Sequence, residues 1–245
     1  MSRLSALLLA LIVGFVVFGT NWLDGRPVHR LLFLGHSYTY YNDMPAMVGK
    51  MADSARSPVR YDVTMSAFPN AKLSEHWRYP KTRRLLSQGG WYRVIAQPEG
   101  SFQPLDSGSD MYVYGHKLLV GTAEQPPALI ISHRATDTFY ESHYSITRAY
   151  DGELDQENVR GLASETGAEV IDINRVWERV RSEELPFSLY SDGNHPSVQG
   201  SYLIALVVYA ALSKADVANV SYVPRGMTKA EAKLLRERVK TALAT

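Results

Sequence analysis

From Pro27 onward the chain alternates short β-branched or leucine-rich runs with longer amphipathic stretches, the pattern of a parallel sheet carrying helices on its faces. Runs at 29–34, 59–66, 92–96, 128–132 and 169–173 predict five strands. Between them, the spacing predicts helices over 44–54, 73–88, 111–121 and 154–166, with another after Asn174. A long helix is expected over 196–212, with Pro196 near its start where the ring is tolerated. Gly167 suits the end of the helix that precedes the fifth strand. Two regions depart from the alternation. Residues 99–109, rich in Gly, Ser, Pro and Asp, read as a loop directly after the third strand, where loops of a parallel sheet line the ligand crevice. After Pro224-Arg225-Gly226, residues 227–243 carry apolar and basic positions at helical spacing. Leu234, Leu235, Val239 and Leu243 can share one face, and a helix packed back on the domain is expected.

Ahead of this domain, residues 4–18 are apolar except for Ser5 and Gly14 and follow Arg3, which reads as an export signal. As a helix these 15 residues reach about 22 Å, short of the roughly 30 Å hydrocarbon layer, and continuing to Leu23 just suffices. Val17-Phe18-Gly19 is a weak cleavage site because of its bulky Phe. Residues 1–23 are therefore expected to be a signal peptide or a membrane anchor, followed by a domain over 27–213 and a C-terminal extension over 214–245. That places the domain in an extracytoplasmic compartment, periplasmic or secreted, with N-terminal membrane association if the segment is retained.

Composition narrows the chemistry. The chain has 245 residues, of which 45% are hydrophobic, enough for one sizeable core. Lys+Arg 26 against Asp+Glu 25 leaves a formal charge of +1, so no positive field marks nucleic acid as a partner. The absence of cysteine removes disulfides, thiol catalysis and thiolate metal sites. Among His29, His76, His116, His133 and His143 no pair has the spacing that sets two ligands on one helix face, so neither metal nor cofactor is expected.

Two segments carry candidate chemistry. The first strand runs into Gly35-His36-Ser37-Tyr38-Thr39-Tyr40-Tyr41-Asn42-Asp43-Met44-Pro45. A glycine there lets the chain turn sharply and leaves the Ser37 hydroxyl at the carboxyl edge of the sheet, where it serves either as a nucleophile or simply as a helix cap. The second segment, Tyr190-Ser191-Asp192-Gly193-Asn194-His195-Pro196-Ser197, precedes the long apolar helix. It reads either as a plain turn before a proline-started helix, or as a carboxylate folded back onto one imidazole nitrogen so that the other can act as a base. A serine hydroxyl is too weak an acid to attack an ester unaided, so the two segments make sense together. A phosphate-cradling, flavodoxin-like use of Ser37-Tyr38-Thr39 is the competing reading, and it gives Asp192 and His195 no task.

Gly35-His36-Ser37-Tyr38 with Asn42 resembles the first block of the SGNH (GDSL-type) hydrolases, and Asp192-Gly193-Asn194-His195-Pro196 is similar to their last block, Asp-x-x-His. The resemblance spans roughly residues 30–212. It implies a three-layer α/β/α sandwich on a five-stranded parallel sheet, with Ser37 as nucleophile, His195 as general base and then acid, and Asp192 orienting the imidazole. In the second block Asn70 stands where the family has glycine, and backbone donation to an oxyanion survives that change. The third block, Val94-Ile95-Ala96-Gln97-Pro98-Glu99, resembles the version of a divergent branch, with the Gln97 amide in the place of the usual asparagine donor. The activity implied is removal of acetyl or other small acyl groups from carbohydrate or cell-envelope substrates. Aromatic residues at Tyr38, Tyr40, Tyr41, Trp77, Trp91, Tyr92 and Phe102 suit sugar rings. A non-catalytic carbohydrate-binding protein of the same fold is the alternative.

Overall fold

Leu31, Leu32, Phe33 and Leu34 are all hidden from solvent, as a continuous apolar run can be only in a strand covered on both faces. The two-residue period sorts them. Leu31 and Phe33 pack with Ile95, Ile130 and Ile171 on one face, and Leu32 and Leu34 with Val94, Leu129 and Ile131 on the other. The computed structural model describes residues 25–100 and 103–244, so the apolar segment at 4–18 and the expected signal peptide or anchor lie outside the described residues. Among the described residues, β1 (Val28–Gly35), β2 (Arg60–Ala67), β3 (Arg93–Ala96), β4 (Ala128–Ile131) and β5 (Glu169–Asp172) form one all-parallel sheet in the order β2-β1-β3-β4-β5.

The helices are α1 (Ser37–Tyr40), α2 (Met44–Ser54), α3 (Leu73–Arg78), α4 (Pro80–Gln88), α5 (Asp110–Leu119), α6 (Asp137–His143), α7 (Arg148–Thr166), α8 (Ile173–Arg181), α9 (Val198–Ser213) and α10 (Lys229–Leu243). Helices α2, α8, α9 and α10 cover the Phe33 face; α3, α5 and α7 cover the Leu34 face. The result is a three-layer α/β/α sandwich. Its handedness follows from the strand order. The step from β1 to β2 runs one way with α2 on the first face, and every later step runs the other way with its helices on the second face, as right-handed crossovers require. Succession therefore reverses between β1 and β3, and their carboxyl ends open a crevice.

Helix α9 is apolar on every side because it is sandwiched: Tyr202 through Tyr209 are all buried. Helix α10 packs back on it and on α8 through Ala232, Leu235, Val239 and Ala242. Fully burying a residue such as Leu235 is worth about 1.5–3 kcal/mol. Thr228 starts α10 with a capping box, its Oγ1 accepting from Glu231 N at 3.2 Å while its own N–H donates to Glu231 Oε2 at 2.7 Å.

Four helical expectations are corrected. The helix expected over 73–88 is two, because Pro80 holds Tyr79 extended (ψ 119°) and restarts the helix at its own position. The spacing predicts no helix over 137–143, yet Thr136 caps α6 there, its side chain accepting from Phe139 N at 3.3 Å. Helix α7 starts at Arg148 rather than 154, capped by Thr147. The long helix starts at Val198, with Ser197 Oγ accepting from Gly200 N at 3.1 Å, while Pro196 pairs with Tyr190 in an isolated bridge.

Candidate active site

The turn after β1 is set by a close approach. A Cβ on Gly35 would lie 2.0 Å from Thr39 Oγ1, so only glycine lets α1 begin directly against the strand end. His36 is extended, and Ser37 opens α1 with 8% of its surface exposed. Behind the turn, the Gly35 carbonyl accepts from Phe68 N at 3.3 Å and from His76 Nε2 at 3.0 Å. With Nε2–H committed there, buried His76 keeps Nδ1 to accept from Thr82 Oγ1 at 3.2 Å, and Thr82 lies 2.8 Å from Ser66 Oγ. Burial and this carbonyl contact act oppositely on His76, and burial wins, lowering its pKa.

The loop at 190–196 is closed at its base by Ser191 N donating to His195 O and Ser197 N to Leu189 O, each at 2.9 Å. Gly193 turns it with φ +85°, in the left-handed region that favours glycine. Asp192 Oδ1 accepts from Asn194 N at 2.9 Å and His195 N at 2.7 Å, and Oδ2 lies 2.7 Å from His195 Nδ1. Burial raises the Asp192 carboxyl, but the His195 and Asn194 hydrogen bonds outweigh it and hold the group below its usual value. The carboxylate thereby fixes the tautomer with the proton on Nδ1 and leaves Nε2 as the acceptor.

Side chains join the two segments across more than 150 positions of sequence. Tyr38 OH, kept protonated because burial pushes its pKa up, donates to Asn194 Oδ1. Asn42 Nδ2 donates to Pro196 O at 3.1 Å and Ser201 Oγ at 2.9 Å, and Ser201 Oγ donates to Tyr41 O at 3.2 Å. The Tyr41 ring stacks on His195 at 4.3 Å and 6°. Two residues past β4, His133 donates Nε2–H to Asn194 O at 3.2 Å with its ring between Tyr38 (4.2 Å) and Trp177 (4.1 Å). Burial lowers His133 to about 3, so it stays neutral in that role.

The outcome is a polar cavity of about 380 Å³ whose wall includes Ser37, His195, Asn70, Glu99, Arg134 and Tyr140. Ser37 and His195 thus face the same space, and Asp192 stands behind the imidazole. Asn70 reaches that wall in the left-handed conformation, φ 52°. Gln97 does not. It is buried beneath the site, with Oε1 accepting from Thr39 Oγ1 at 2.5 Å and Nε2 donating to Ser132 Oγ at 2.8 Å. The amide expected at an oxyanion instead ties the serine helix to the end of β4, because two hydroxyls lie within its reach. His36, also on the wall, is lowered to about 4 by burial, against a hydrogen bond to the Pro98 backbone.

Sequence reasoning missed the carboxylates behind the charged wall, Asp151 and Asp155. Buried Arg134 lies 3.2 Å from Asp151 through Nε and pairs with Asp155 through Nη2, while Tyr140 OH donates to Asp151. Burial raises the Asp155 carboxyl and Arg134 opposes it. The available signal was the four-residue spacing of Asp151 and Asp155, which sets both on one face of α7. Among the described residues no group of three or more His, Asp or Glu is arranged to hold a metal ion. A hydroxyl and an oriented imidazole in one polar cavity are the groups acyl transfer needs.

No protein-family model matches the chain, and no curated protein does. Solved structures do match. A Slackia heliotrinireducens protein assigned to the SGNH hydrolases superimposes with a TM-score of 0.60 at 23% identity, over 76% of this chain and 99% of that one. A DUF4886-family protein of Bacteroides uniformis gives 0.69 at 13%, over 89% and 95%. An acetyl xylan esterase of Geobacillus stearothermophilus gives 0.57 at 15%, over 76% and 94%.

Proposed function

We propose that this chain, whose fold is that of the SGNH hydrolases, is a serine ester hydrolase that removes acetyl or other small acyl groups from carbohydrate or cell-envelope substrates. The observation that carries the reading is a single cavity walled by Ser37 and His195, with Asp192 Oδ2 2.7 Å from the far nitrogen of the imidazole. Ser37 Oγ attacks the ester carbonyl while His195 Nε2 takes its proton, and Asp192 stabilises the imidazolium. Backbone N–H groups at Ser37 and Asn70 are the donors assigned to the oxyanion. His195 then protonates the leaving alcohol, and the acyl group remains on Ser37. Water, deprotonated by His195, releases the acid and restores the hydroxyl.

The polar wall supports a hydroxyl-rich alcohol, and the structural similarity to an acetyl xylan esterase agrees with an acetylated glycan. The apolar run at 4–18 supports export, so the substrate is sought outside the cytoplasm. Hydrolysis of p-nitrophenyl acetate by the domain, with Ser37→Ala and His195→Ala beside it, tests the assignment. Both variants are expected to fold and to lose about 10³-fold or more in kcat. Equal turnover by all three proteins rules the assignment out, as does failure of a fluorophosphonate to label Ser37.

A further inference from the structure

We propose that a second cavity beside the Ser37 site is a subsite for an additional sugar unit of a neutral oligosaccharide, so that the acyl group is taken from a glycan chain rather than from a single sugar. The inference rests on the ester-hydrolase reading and adds the size and charge of the alcohol. This cavity, about 560 Å³, has Lys72, Ser74, Glu99, Ser109 and Asp110 in its wall. Glu99 and Gly100 also belong to the wall of the Ser37 cavity, so the two spaces adjoin at that point. Each falls within the roughly 300–1,000 Å³ span of small-molecule sites.

Two stretches of the wall are tied to their surroundings by hydrogen bonds. Asn158, buried on α7, accepts from Leu105 N at 2.8 Å and donates to Gln103 O at 3.1 Å, which fixes one side. On the other side Glu75 Oε2 accepts from Lys72 N at 2.9 Å at the start of α3. Two polar atoms of wall residues, Glu99 Oε2 and Ser109 Oγ, are buried without a hydrogen-bond partner among the described residues, and such groups call for an explanation.

The chemistry of the lining selects the occupant. Leu73 and Met111 offer apolar surface between hydroxyls, carboxylates and one ammonium. A sugar ring meets that mixture with C–H faces and with hydroxyls that both donate and accept. An alkyl chain would leave the polar groups facing nothing. An acidic glycan would meet the carboxylates of Glu99 and Asp110 with only Lys72 to offset them. A neutral polyol satisfies all of them.

The test compares mono-O-acetylated monosaccharides and trisaccharides of glucose, xylose, mannose and N-acetylglucosamine, with p-nitrophenyl acetate as the short control. For at least one sugar the trisaccharide is expected to exceed the monosaccharide about tenfold or more in kcat/KM, since remote contacts contribute to transition-state binding. Ser109→Trp, which fills the cavity, and the milder Asp110→Ala are expected to abolish that gain mainly through KM. Both should leave p-nitrophenyl acetate within about twofold, with thermal melting confirming that they fold. Equal rates on short and long substrates by a protein that hydrolyses p-nitrophenyl acetate overturn the subsite and leave the esterase reading standing. A chain-length gain that survives both variants overturns its location. A wild-type protein inert to every ester overturns both.

Discussion

At the scale of single residues, Asp192 holds the imidazole by one oxygen and its own loop by the other. Asp192→Asn should keep the fold and lower kcat by about 10³- to 10⁴-fold in the acetyl-ester assay, because an amide stabilises the wrong tautomer. Gln97 makes the opposite kind of prediction. Its amide holds Thr39 and Ser132, so Gln97→Ala should fall well short of the roughly 10²- to 10³-fold loss of a missing oxyanion donor. It should instead lower stability, by about 1–3 kcal/mol in urea denaturation, by stranding buried hydroxyls. The turn ahead of Ser37 and the contact of Asp192 with His195 were legible because each is local: a glycine at a strand end, and a carboxylate three residues from an imidazole. The partners of Gln97 were not, since they lie 58 and 35 positions away and only the sheet order brings them together.

At the scale of elements, all five strands were legible because each is a short apolar run between helices, and sheet burial on two faces writes that run plainly. Helix α6 and the first turns of α7 were hidden for the converse reason. Asp151, Gly152 and Asp155 face inward on α7, so the segment looks polar although it is buried against Arg134. Removing the cation tests that account. Arg134→Met leaves two buried carboxylates without compensation and should cost about 3–5 kcal/mol in urea denaturation. Thr147→Ala, which removes only the cap of the same helix, should cost about 1 kcal/mol. Similar losses from the two would mean that the buried ions do not organise α7.

At the scale of the whole molecule, the buried histidines couple folding to acidity. His36 and His133 are lowered from 6.5 to about 4 and about 3. Above pH 6.5 neither the folded nor the unfolded chain protonates them. Below it the unfolded chain takes up protons that the folded one refuses, so stability falls as pH drops toward 4, by up to roughly 1.4 kcal/mol per pH unit for each ring. Melting temperatures recorded from pH 7 to pH 4 should decline, and His36→Asn should flatten the decline; an unchanged slope would remove His36 as its cause. The clasp between the serine turn and the 190–196 loop has a consequence for assembly. Its hydrogen bonds span 154–160 residues, so the loop-closure entropy behind them is paid only once nearly the entire polypeptide is in hand. During refolding from urea, tryptophan fluorescence should recover before ester turnover, and a nascent chain released ahead of residue 190 would lack α9 and α10 as well as the clasp, leaving the Phe33 face of the sheet partly uncovered.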